Sequence, residues 1–69
     1  MTYQELHNMT QGHTLPLGSR NKSGEVVIIS RGTDRSGQKY FAVKTYQENG
    51  WIRTNNIYED GSTEELYSR

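Results

Sequence analysis

This 69-residue chain contains no cysteine, one proline, one tryptophan and one phenylalanine. Without cysteine there are no disulfides of the kind that hold small secreted domains together, and no cysteine zinc site. Long hydrophobic runs are missing too. No stretch approaches the ~20 apolar residues of a membrane span. The N-terminus has no basic segment leading into an apolar run, so no secretory signal is read there. These absences together predict a soluble cytoplasmic protein with no membrane partner.

Apolar residues are scarce overall, at 30% of the chain with a mean hydropathy of -0.98. A chain of this length is one domain, near the lower limit for a self-sufficient core. With neither disulfide nor metal available, the remaining remedy for a thin core is association with further copies. A homo-oligomer, dimeric or higher, is therefore expected.

Net charge is zero, but its distribution is uneven. Residues 1–19 carry only Glu5. Residues 20–44 carry six bases against two acids, a surplus of four positive charges, and residues 45–69 carry two bases against five acids. Neutral totals argue against strong non-specific nucleic-acid binding, which shows an excess of bases. The polarity leaves three readings open: solvated strand faces, a local basic stripe, or head-to-tail self-association.

What is present is turn chemistry. Asn49-Gly50 and Asp60-Gly61 each sit between runs of strand-forming residues, the signal of a tight hairpin with a type I′ turn. The predicted fold is mainly β: a four-stranded antiparallel meander, either a curved sheet or a small barrel, preceded by a short N-terminal helix or tail. The strands are expected at Glu25–Arg31, Gln38–Gln47, Trp51–Tyr58 and Ser62–Tyr67, within one domain whose meander spans residues 25–67. Residues 1–24 form the preceding segment. In it, Thr2 and Glu5 have the spacing of a capping box, with Tyr3, Leu6 and Met9 on one stripe. Gly12, Pro16, Gly18 and Gly24 mark residues 12–24 as a loop or linker, which Leu15 and Leu17 could tack onto the sheet.

Even-length turns set the expected faces, because parity decides which side chains share a side. Tyr46 then opposes Arg53, and Lys44 opposes Asn55. One face holds Val27, Ile29, Tyr40, Ala42, Tyr46, Trp51, Ile57 and Leu66. The other holds Val26, Ile28, Phe41, Val43, Ile52, Tyr58 and Tyr67. Both are partly apolar, whereas a free antiparallel sheet usually keeps one face wet. One face therefore needs the N-terminal segment as cover, and the other needs closure into a barrel or a second subunit. Trp51, flanked by Tyr46 and Arg53, is the expected anchor of such an interface.

No enzyme constellation emerges. His7 and His13 are six residues apart without a carboxylate cluster, whereas zinc needs three or four convergent ligands. Glu59, Asp60, Glu64 and Glu65 cluster near the last turn and offer hard oxygen ligands. Asp60 is explained by turn chemistry, however, and Glu64 and Glu65 point to opposite faces. There is no Gly-x-Ser-x-Gly elbow, and the Gly32–Gly37 stretch lacks the lysine-serine pair and following helix of a P-loop. No cofactor is implied.

The candidate binding residues are the bases Arg31, Arg35, Lys39, Lys44 and Arg53 and the aromatics Tyr46 and Trp51. Rings beside bases on a sheet hold single-stranded nucleic acid by stacking and phosphate contact. Trp, Tyr and Arg are also preferred anchors of protein interfaces. Equally, Tyr46 and Trp51 could fill the core while Lys44 and Arg53 snorkel at its edge.

The segments Asn49–Asn55, Tyr58–Gly61 and Glu64–Tyr67 resemble short reading frames carried by phages and mobile elements of Gram-positive gut bacteria. Some proteins of that type are anti-CRISPRs, and one small anti-CRISPR family has a curved antiparallel sheet that oligomerises and acts on plasmid DNA. The resemblance covers the C-terminal half and none of its motifs is catalytic. It implies a non-catalytic inhibitor of a host nuclease complex in the bacterial cytoplasm, or alternatively an oligomeric DNA-binding or DNA-altering protein.

Overall fold

A computed structural model describes residues 1–69 as one helix followed by five strands. Helix α1 spans Tyr3–Thr10, and the strands are β1 (Leu17–Arg20), β2 (Val26–Thr33), β3 (Lys39–Tyr46), β4 (Ile52–Tyr58) and β5 (Thr63–Ser68). They form a single antiparallel sheet in the order β1-β2-β3-β4-β5. β1 and β5 are both free edges, so the sheet is open and the barrel alternative is wrong. The expected count of four strands is also one short, because β1 lies inside the stretch read as linker. Its four residues contain Gly18 and one apolar side chain, too little for a periodic signal, and they become a strand only by pairing with β2. No helix is long and apolar enough to cross a membrane.

The capping box forms as expected. The Glu5 amide donates to Thr2 Oγ1 at 3.1 Å, and the Thr2 amide donates to Glu5 Oε1 at 3.2 Å. An eight-residue helix has little stability of its own and needs a docking face. That face is Tyr3, Leu6 and Thr10; Met9, expected on the stripe, is 46% exposed. Thr10 can be buried because its hydroxyl donates to the Leu6 carbonyl at 2.7 Å, so no polar group is stranded.

All four hairpins use the same loop. In each, the amide of the first residue donates to the carbonyl four residues on, and the glycine amide donates back across three residues. These pairs are Asn21 with Glu25 and Gly24, Asp34 with Gln38 and Gly37, Gln47 with Trp51 and Gly50, and Tyr58 with Ser62 and Gly61. The glycines have φ between 82 and 94°, and no other residue type has positive φ. This is a three-residue loop, a type I turn closed by a left-handed glycine, and not the expected type I′ turn, which needs two positive-φ residues.

Loop length has a consequence for every side chain. Odd-length loops pair residues of like parity: Ile29 with Val43, Val43 with Asn55, Asn55 with Glu65. Odd-numbered strand residues therefore share one face and even-numbered residues the other. The expected faces mixed the two parities and are wrong. Tyr46 opposes Ile52, not Arg53, and Lys44 opposes Thr54, not Asn55.

The odd face carries the core. Ile29, Phe41, Val43 and Ile57 are buried there, and Leu6 of the helix completes a five-residue cluster flanked by Tyr3, Leu15 and Val27. The Tyr3 and Phe41 ring centroids lie 5.0 Å apart. The even face has no buried residue and nothing lies over it. Both faces are thus partly apolar, but only one is covered, and the cover is the N-terminal segment.

Candidate functional site

The register disperses the residues singled out from the sequence. Lys44 and Tyr46 stand on the open even face, both exposed. Arg53 is on the covered face, half-buried, opposite Thr45 and Tyr67. Trp51 precedes β4 at the end of the sheet, half-buried, with the Arg69 guanidinium 4.4 Å above its ring. Arg31 lies over the Phe41 ring at 5.3 Å, Arg35 is in the β2–β3 loop, and Lys39 begins β3. The aromatic-basic patch of Lys44, Tyr46, Trp51 and Arg53 is therefore two separate pairs on opposite faces. Trp51 and Tyr46 do not form one patch.

What register assembles instead is an apolar open face. Arg20, Val26, Tyr46, Ile52 and Ser68 form one cross-strand row, apolar across its three central strands, and Gly18, Ile28, Lys44, Thr54 and Leu66 form the next. Val26 is 37% exposed, Tyr46 40% and Leu66 49%, so the apolar surface is accessible. Nearer the other end of the sheet, the Tyr40 and Tyr58 centroids are 5.3 Å apart at an interplanar angle of 39°. Tyr40 lies across Gly32, where a Cβ would meet its ring at 2.6 Å; the glycine is needed for that ring to lie flat on the strand. The Tyr58 hydroxyl is held above its ordinary pKa, first by desolvation and then by Glu64. Of these residues, sequence reasoning singled out only Lys44 and Tyr46 as binding residues.

No three His, Asp or Glu side chains converge in a way that could hold a metal. The carboxylates near the last turn serve local structure. Asp60 accepts from the Ser62 amide and hydroxyl at 2.9 and 2.6 Å, and Glu64 accepts from Asn56 Nδ2 at 3.3 Å. His7 stacks on Tyr3 with centroids 6.4 Å apart.

Asp34 and Asp60 are held below the usual carboxylate range, each first by a hydrogen bond from a serine hydroxyl, Ser36 and Ser62 respectively. A depressed folded-state pKa stabilises the fold above the unfolded value and loses that stabilisation as pH falls through the folded value. The fold should therefore weaken as pH drops below about 4, the ordinary aspartate value. The chain contains its own control, because Asn21 occupies the loop position of Asp34, and Asn49 that of Asp60. An Asp34→Asn, Asp60→Asn double variant should keep both loops at neutral pH yet flatten the acid limb of a pH-dependent denaturation series. An unchanged acid limb would place the titration elsewhere.

Compared with known protein families, curated proteins and solved structures, the chain matches none.

Proposed function

We propose that this chain is a non-catalytic binding protein that works by presenting its open sheet face to another protein. The observation that carries this reading is the uncovered apolar surface of Val26, Ile28, Tyr46, Ile52 and Leu66. Antiparallel sheets normally leave their solvent face polar, and contiguous apolar surface on a soluble protein marks an interaction site. The resemblance of the C-terminal half to phage and mobile-element accessory proteins supplies the setting. In that setting the partner is a host defence nuclease complex, and inhibition needs only a complementary surface.

The test is a pull-down against a reconstituted CRISPR nuclease complex, alongside a phage or plasmid protection assay. Ile52→Glu places a charge opposite Tyr46 in the end row of the open face, outside the five-residue core cluster. The variant should retain a cooperative melt and lose capture and protection together. If the folded variant captures and protects as the wild type does, the open face is not the binding surface. Light scattering on both proteins reads whether the same face also holds a second copy.

A second reading, binding of single-stranded nucleic acid, draws on one observation. The Tyr40–Tyr58 pair and exposed Lys44 share the open face, and rings on the same sheet face as a cation suit unpaired bases and phosphates. Gel shifts at low and moderate salt separate the two readings, because phosphate contacts weaken steeply with salt.

A further inference from the structure

The odd face is only partly covered. Five strands at about 4.8 Å spacing make a face roughly 19 Å across, whereas the eight-residue helix is roughly 12 Å long and lies over β3. Beyond it lies a recess of about 420 Å³. Its apolar lining is Met1, Val27, Val43 and Ile57, and its polar lining includes Thr45, Asn55 and Arg53.

Arg53 distinguishes this recess from an ordinary packing gap. It is the only charged side chain in the lining, and its Nε is buried without any hydrogen-bond partner. A buried guanidinium donor left unpaired is unfavourable, and native proteins rarely leave one so. Glu65, the acid of the same face in β5, stands opposite Asn55 and does not line the recess; both Glu65 and Arg53 act on the neighbouring Tyr67 hydroxyl, Glu65 raising its pKa and Arg53 lowering it. An apolar floor, a few polar groups and a charged side chain, in a volume within the small-molecule range, are the attributes of a ligand site.

We infer that this recess binds a small oxyanion with a compact apolar body, its carboxylate or phosphate accepting from Arg53 and its body resting on Val27, Val43 and Ile57. A guanidinium suits either headgroup, because its donors form a planar fork. The site is on the opposite face from the surface proposed to bind a partner, so either can fail without the other.

The experiment is an NMR titration of the full chain, following the Arg53 Nε–Hε resonance and the amides of Thr45 and Asn55. The probes are hexanoate, hexyl phosphate, hexan-1-ol and acetate. At least one of the two apolar anions should shift these resonances saturably, and whichever binds tighter identifies the preferred headgroup. Hexanol, lacking the charge, should bind roughly ten- to hundredfold more weakly, and acetate, lacking the body, should also fall short. Arg53→Gln should reduce anion affinity to that of hexanol, whereas Arg20→Gln, on the other face, should leave it unchanged. The inference is overturned if neither apolar anion gives a saturable shift up to its solubility limit, or if hexanol matches the better anion. Because these two readouts use the wild-type protein, they stand even if Arg53→Gln does not fold.

Discussion

Phe41→Ala is expected to leave the chain unfolded at room temperature. Phe41 is fully buried at the centre of a core with only four other members, and it meets Tyr3 on the helix, Arg31 on β2 and Ile57 on β4. Truncating a buried phenylalanine costs about 3–5 kcal/mol, including the cavity left behind. A single core in a domain this small rarely supplies more than about 3–5 kcal/mol in total. The two magnitudes are equal, so no stable native population should remain. Circular dichroism should show a flat thermal profile in place of a cooperative melt. A cooperative melt with a loss below about 1 kcal/mol would mean that the core is not concentrated at this ring.

Leu6→Ala is expected to release the helix and expose the odd face. Leu6 is fully buried and is the only helix residue in the core cluster. A buried leucine truncated to alanine costs about 2–5 kcal/mol, and eight residues of helix cannot persist undocked. The helical signal in far-ultraviolet circular dichroism should fall, and a dye for exposed apolar surface should bind. Met9→Ala is the matched control. Met9 is largely exposed, so its loss should stay within about 0.5 kcal/mol of wild type. Similar losses in the two variants would contradict the docking of α1 through Tyr3, Leu6 and Thr10.

The open face is legible in part from the residues alone. The runs Val26–Ile29 and Tyr40–Val43 have apolar residues at both odd and even positions, so whatever the register, apolar side chains had to reach both faces. Which of them meet across strands was not legible without the loop length. One residue more or less in each turn exchanges the partners, and with them the site: Tyr46 beside Arg53 under even loops, Tyr46 beside Ile52 under the observed ones.

A signal for the loops did exist. Gly24, Gly37, Gly50 and Gly61 recur at intervals of 11 to 13 residues, and Asn21-Lys22-Ser23-Gly24 repeats as Asp34-Arg35-Ser36-Gly37. In both repeats the first side chain accepts from the backbone amides two and four residues on. An acceptor at the first position and glycine at the fourth suit the three-residue loop, since the turn residues stay right-handed and only the glycine need be left-handed.

The residues by themselves determined that this chain is a small β-meander with a capped N-terminal helix, because turn chemistry, β-branched runs and the capping box act over a few neighbouring residues. Tertiary structure alone decided that Leu17–Arg20 is a strand, that Thr10 rather than Met9 faces the core, and that Arg53 sits over a recess while Lys44 faces outward. Each of those outcomes depends on a partner outside the element itself. Pairing with β2 makes β1, docking on β3 rotates the helix, and the summed parity of successive loops assigns each side chain its face.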